Sequence, residues 1–170
     1  AFWRPYLEGF SEPTTVPLPA PADAYYGYGE TPLRLSEELT TALDALAQRC
    51  RATMHTLLQG AWALLLSRYS GREDVVFGVT KSVRHAHVAP PDAVGLYINT
   101  LPVRVQVDVD APLEPWLWGL RRQWVDMRPH EHTPLPLINQ CSELPGGTGL
   151  FDTYLVYENG TLDDLVKDGL

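Results

Sequence analysis

The chain has 170 residues, enough for one domain or one large lobe that buries roughly 70% of the surface its unfolded form exposes. Hydrophobic residues make up 45% and charged residues 20%, ordinary values for a globular protein that argue against wholesale disorder. A formal net charge of −8 with no basic run argues against nucleic acid as a partner, since phosphate backbones are held by clustered Lys and Arg.

Phe2, Trp3, Tyr6 and Leu7 fall at helical spacing ahead of a proline-rich stretch, Pro13 to Pro21, whose prolines favour extended backbone. Tyr25, Tyr26 and Tyr28 sit in a glycine-broken loop, where rings packed on a neighbouring surface are expected over ligand stacking. Leu33 and Leu35 alternate with polar neighbours and predict a short strand. Ser36 is a good N-cap, and Glu37 and Glu38 complement the helix dipole behind it. Leu39, Leu43, Leu46 and Cys50 then mark one face of an amphipathic helix. A second helix, about Thr53 to Tyr69, carries Met54, Leu57, Leu58, Ala61, Trp62, Leu64, Leu65 and Leu66 on nearly every side, the pattern of a helix covered by other elements. Ser70-Gly71 ends it.

Val75 to Val79 is a continuous β-prone run, as expected of a strand buried on both faces. Leu101, Val103, Val105, Val107 and Val109 alternate with polar residues or proline and predict a half-buried strand. Pro112 opens the next helix, whose stripe of Leu113, Trp116, Leu117, Leu120 and Trp124 ends before Pro129. Gly146 to Gly149 predicts a turn, and Leu150 to Tyr157 another buried strand. Alternating helices and strands give an α/β class, a mixed central sheet packed by helices.

Cys50 and Cys141 lack metal-like spacing, and Cys50 follows its helix's apolar face as a small core residue, which suits a reducing, cytoplasmic setting. The longest apolar run, Ala61 to Leu66, is far short of the ~20 residues that span a bilayer, so no membrane partner is expected.

Three segments read together as one signature. They are Gly71-Arg72-Glu73-Asp74-Val75-Val76-Phe77-Gly78, Val94-Gly95-Leu96-Tyr97-Ile98-Asn99-Thr100-Leu101-Pro102, and Leu150-Phe151-Asp152-Thr153-Tyr154-Leu155-Val156-Tyr157-Glu158-Asn159. Each resembles a motif from the C-terminal half of condensation domains, the amide-forming units of nonribosomal peptide synthetases. Trp3-Arg4-Pro5-Tyr6-Leu7-Glu8-Gly9 resembles the opening of that family's second lobe. The resemblance implies one lobe of a chloramphenicol-acetyltransferase-like fold, with residues 1–170 a partial C-terminal lobe. Within it, 1–35 would form an opening helix and proline-rich linker, and 36–170 the α/β body. The family continues beyond the equivalent of Asn159, so the chain is expected to be cut short at both ends.

The resemblance also places candidate residues. The strand from Asp74 runs on to Lys81-Ser82-Val83-Arg84, where the family has a Ser-Gly-Arg turn beside its substrate tunnel; Val83 replaces the glycine, while Ser82 and Arg84 match. Arg84 reads equally well as half of a structural salt bridge. In the second segment, Gly95 permits a close backbone approach or a positive φ. The Asn99 amide, one acceptor and two donor hydrogens, suits an amide-bearing substrate or the pinning of a loop. Ser82, Arg84, Tyr97, Asn99 and Thr100 are therefore the candidate tunnel residues. His130, His132 and Thr133 form a possible second polar loop, resembling a family segment that precedes a proline and a helix.

Other chemistries lack support. His130, Glu131 and His132 chelate only from an extended segment and have no evident third or fourth ligand, so no metal is expected. The pair His85 and His87, flanked by Pro90 and Pro91, reads as an exposed loop, and His55 as a satisfied packing histidine. There is no Gly-x-Ser-x-Gly elbow, and Gly146 to Gly149 lacks the Lys and Ser/Thr of a phosphate loop.

The family's catalytic signature, two adjacent histidines followed three residues later by Asp-Gly, is absent from these 170 residues, and Asp168-Gly169 has no histidine in the six positions before it. No catalytic residue is assigned. The implied role is one wall of the channel in which an aminoacyl amine attacks a donor thioester, with no amide bond formed by the chain alone. No cofactor is expected to bind directly, since substrates would ride on the phosphopantetheine arms of peptidyl or acyl carrier proteins. A missing N-terminal lobe is the other expected partner, and the isolated chain is expected to self-associate. The alternatives are a non-catalytic carrier-protein docking module or a structural fragment.

Overall fold

The computed structural model describes residues 2–17, 28–83 and 94–158. Its elements are α1 (Trp3–Leu7), α2 (Glu37–Arg49), α3 (Met54–Ser70), β1 (Asp74–Ser82), β2 (Ile98–Gln106), α4 (Leu113–Met127), a 3-10 turn (Arg128–His130), α5 (Leu135–Asn139) and β3 (Tyr154–Leu155). The sheet order is β2-β1-β3. β1 runs antiparallel to β2 from Asp74↔Gln106 to Ser82↔Ile98, and parallel to β3 at Gly78↔Tyr154 and Val79↔Leu155. This is the expected mixed sheet packed by helices.

Local chemistry sets the helix ends. Ser36 Oγ accepts from the Leu39 N–H at 3.2 Å, and Thr53 Oγ1 from the Thr56 N–H at 3.1 Å. Gly71 closes α3 at φ 71°, a left-handed geometry costly for any other residue, and its N–H donates to Ser67 O. The stripe on α2 meets the core from Leu43 onward, with Ala47 and Cys50 buried, while Leu39 stays exposed. Cys50 and Cys141 are both free thiols.

β1 is the centre of the core, with Val75, Val76, Phe77 and Val79 fully buried. Each such side chain contributes about 1.5–3 kcal/mol relative to exposure. β2 covers one edge of β1; on the other, Gly78 N–H donates to Thr153 O at 2.9 Å and Val76 N–H to the buried Thr14 hydroxyl at 2.7 Å. A Cβ on Gly78 would stand 2.6 Å from Phe151 Cε2 and 2.7 Å from Tyr154 Cδ1, so the perpendicular Phe151–Tyr154 ring pair requires glycine beneath it.

Four sequence expectations change. Leu33 and Leu35 form no strand; both are exposed, and no partner strand among the described residues pairs with them. Helix α3 is covered by α2, α4 and β1 but not all round: Leu64, Leu65 and Tyr69 are exposed, because no described element packs on that side. The alternation in β2 stops short of Val109, since Asp108 forms a turn, accepting from Asp110 N–H with its side chain and from Ala111 N–H with its carbonyl. The strand expected over Leu150 to Tyr157 shrinks to Tyr154–Leu155. Its first residues pair with the N-terminal strap instead, Thr14 bridging Phe151 and donating to Leu150 O, which leaves Tyr154 and Val156 exposed.

Helix α1 is tied to the sheet by a saturated ionic clamp. Arg104 contacts both Asp74 oxygens, at 2.7 to 3.2 Å, and donates from Nη1 to Tyr6 O and Glu8 O. The Tyr6 hydroxyl accepts from Arg104 N–H at 2.8 Å and donates to Pro102 O. Burial pushes the Tyr6 phenol far above its usual range, and the Asp74 hydrogen bonds push the Arg104 guanidinium up. Among the described residues, no helix is long and apolar enough to cross a membrane.

Candidate functional site

The β1–β2 ladder carries several candidate residues to one end of the sheet. Lys81 pairs with Asn99, Thr80 with Thr100, and Ser82 with Ile98. Pairing continues past Ser82, because Val83 N–H donates to Tyr97 O at 2.9 Å, so the chain stays extended where the family has its glycine turn. Arg84 lies outside the described residues, as do His85 and His87. Gly95 meets neither of its expected needs: its φ is not positive, and an added Cβ would make only ordinary contact, 3.4 Å from the Tyr97 ring.

Asn99 spends its amide on the chain itself. Nδ2 donates to Glu131 O at 2.8 Å and to Thr133 O at 2.9 Å, while Oδ1 accepts from Thr100 N–H. The 131–133 loop is thereby pinned to β2. The two histidines here face different surroundings: His130, just before the loop, stacks on Phe2 with centroids 4.7 Å apart and planes at 15°, and His132 within it is exposed. Thr133 N–H closes the loop on His130 O. Among the described residues, no group of three or more His, Cys, Asp and Glu is placed to hold a metal ion.

Between the start of α3, the end of β1 and the C-terminal half of α4 lies a cleft of about 540 Å³. Ser82 lines it beside Thr80 and Lys81; His55 and Thr56 come from α3, Trp124 and Arg121 from α4, and Tyr157 from the segment after β3. Lys81 Nζ stands 2.6 Å from Glu131 Oε2 and 5.0 Å over the Trp124 ring. Glu131 is only 1% exposed, so the pinned loop carries a buried countercharge beneath the cleft. Arg121 and Arg128 remain exposed at the rim, and among the described residues no carboxylate lines the cavity.

Behind the rim is a polar relay in an otherwise apolar interior. Gln59, fully buried, lies between Trp124 Nε1 (2.7 Å) and His55 Nε2 (2.8 Å). His55 stacks on Tyr157 at 5.3 Å and 16°. Burial, and then the charge of Lys81, hold its imidazole below the ordinary histidine range. Of the candidate tunnel residues, Ser82 lines this cleft and Asn99 supports it through the 131–133 loop. Sequence reasoning passed over His55, Lys81, Trp124 and Tyr157 as cleft residues. A readable signal was Gln59, a lone amide within an apolar helix four residues after His55, where side chains meet on one face.

Comparison with known proteins fixes the family. The sequence profile of the condensation domain matches residues 1–168. The chain belongs to the condensation-domain family. Among condensation-domain relatives, a linear gramicidin synthase of Brevibacillus parabrevis is 42% identical over 172 residues, covering 98% of this chain and 2% of that protein. Chondramide synthase cmdD of Chondromyces crocatus is 44% identical over 171 residues, covering 98% of this chain and 4% of that protein. The chain thus spans a few hundredths of the length of these curated relatives. In fold it matches the crystal structure of the X-domain from teicoplanin biosynthesis, with a TM-score of 0.75 and 25% identity over 90% of this chain and 35% of the other. It also matches the first condensation domain of the CDA synthetase, with a TM-score of 0.65 and 20% identity over 92% of this chain and 33% of the other, a likeness of fold. The condensation-domain sheet described above is therefore the scaffold on which the cleft is built.

Proposed function

We propose that this chain is part of the second lobe of a condensation domain that joins carrier-protein-bound acyl and aminoacyl thioesters through an amide bond, and that it supplies a channel wall while the paired histidines lie on another segment. Residues 1–170 would form a partial C-terminal lobe, 1–35 serving as its opening helix and proline-rich linker and 36–170 as its α/β body. The observation that supports the reading is the cleft at the end of β1. Ser82, brought there by the motif strand, faces the same cavity as a polar and aromatic wall, and Asn99 holds the neighbouring loop in place. The exposed guanidiniums of Arg121 and Arg128 at the rim suit the phosphate of a phosphopantetheine arm presented by a carrier protein. Among the described residues His55 is the one histidine on the cleft wall, and its Nε2 is taken by Gln59, which fits a wall without the paired-histidine base.

The companion lobe would cover the apolar residues at the open end of β2, where Val94, Leu96 and Ile98 are exposed. Without it, the chain self-associates there, and light scattering at rising concentration reads the effect. A condensation assay tests the catalytic reading, with a donor thioester on one carrier protein and an aminoacyl acceptor on a second. The 170-residue chain alone is expected to yield no amide product, and the same chain inside a synthetase module bearing the histidine pair to yield it. Turnover by the chain alone overturns the proposal.

A further inference from the structure

We propose that His55 is held as its Nδ1–H tautomer and is the hydrogen-bond donor that receives a ligand carbonyl oxygen in the cleft, with Gln59 and Trp124 as the positioning residues behind it. An indole nitrogen carries a hydrogen and no available lone pair, so Trp124 Nε1 can only donate, here to Gln59 Oε1 at 2.7 Å. That orients the amide. The Gln59 nitrogen, donor only, stands 2.8 Å from His55 Nε2, so Nε2 must accept. A neutral imidazole that accepts at Nε2 carries its hydrogen on Nδ1. An imidazolium would set one N–H against another and break the chain. Burial and the Lys81 charge both oppose that charged form. Gln59 is fully buried, so bulk water cannot take over its hydrogen bonds and let the amide turn.

The surroundings of His55 point to an uncharged acceptor. Its ring contacts two aromatic rings, stacked on Tyr157 and tilted at 37° against Trp124 with centroids 5.9 Å apart. The cation that acts on it, Lys81, is matched by Glu131, whereas Arg121 and Arg128 are exposed. An anion would meet those guanidiniums before reaching the imidazole. A directed N–H beside aromatic rings suits an amide or thioester carbonyl. The ligand assignment rests on the channel-wall reading; the tautomer does not.

Histidine labelled with nitrogen-15 reports both ring nitrogens in long-range proton–nitrogen spectra of the full chain, alone and titrated with an aminoacyl N-acetylcysteamine thioester. The free protein is expected to show Nδ1 protonated and Nε2 bare, and the thioester to move the Nδ1 signal. His55→Phe should weaken thioester binding about three- to tenfold, the loss of one neutral hydrogen bond. Gln59→Glu, an acceptor toward both neighbours, should pull the proton to Nε2. Trp124→Phe, which frees the amide to turn, should populate the same form if the buried carboxylate prevents folding. Nε2–H in the unaltered protein overturns the proposal. Thioester binding with both His55 signals unmoved overturns the donor role and leaves the channel wall standing. No thioester binding at Ser82 and Tyr157 overturns the donor role and the channel-wall reading together.

Discussion

The two ends of β1 carry opposite solutions to the same problem, a charge held partly out of water. At its start, Asp74 meets an Arg104 whose guanidinium contacts both carboxylate oxygens and two main-chain carbonyls, and whose backbone N–H is taken by Tyr6. At its end, Lys81 faces Glu131 with a contact of 2.6 Å, yet Glu131 Oε2 makes no aligned hydrogen bond and the neighbouring cavity is open. The first arrangement gives each guanidinium nitrogen an acceptor of the chain, even with a cavity of about 340 Å³ beside Asp74. The second keeps polar groups on a cavity wall. Saturation separates a staple from a site more clearly than charge or burial does.

Breaking the staple should have the largest effect. Arg104→Ala removes the pair with Asp74 and the tie to α1, and is expected to cost about 3 kcal/mol in urea unfolding. Gly78→Val, in the strand both ends share, drives a side chain into Phe151 and Tyr154 and should cost about 2 kcal/mol by the same measurement. Asn99 sharpens the contrast at the cleft end. Asn99→Asp puts a carboxylate against two carbonyl oxygens and should cost about 2 kcal/mol, whereas Asn99→Ala, which only loses the donors, should cost about 1 kcal/mol. Glu131→Gln should also cost only about 1 kcal/mol, because Lys81 reaches water more readily than a fully enclosed charge would.

The smallest effect is a slope with pH. His55 binds a proton less readily folded than unfolded, so the unfolded chain takes up more protons as pH falls through the ordinary histidine range. Its contribution to stability is present above that range, is lost as pH drops through it, and levels off below the folded value. His55→Phe should flatten this part of the unfolding free energy against pH.

Much of the scaffold was legible because it depends on neighbours in sequence. Ser36 caps α2 through a residue three positions away, and the apolar run Val75 to Val79 shows a strand covered on both faces. Apart from the local turn at Asp108 that ends the alternation in β2, the misreadings have one physical source. Leu150 to Tyr157 has the composition of a long strand, but Thr14, more than 130 residues earlier, takes the pairing of its first residues. Leu33 and Leu35 alternate with no strand to meet. The cleft was hidden for the same reason: Gln59, bound to His55, reaches Trp124 across 65 residues, and Lys81 finds Glu131 across 50, distances that no local pattern reports. The motif residues Ser82 and Asn99 were legible through the family resemblance, which marked the end of the sheet but not the wall opposite.

The most direct test of the channel wall is to fill it. Ser82 is exposed and lines the cleft, so Ser82→Trp in a complete synthetase module should leave folding and carrier-protein loading intact while amide formation falls by at least tenfold. Unchanged amide formation with tryptophan in that position would contradict the account.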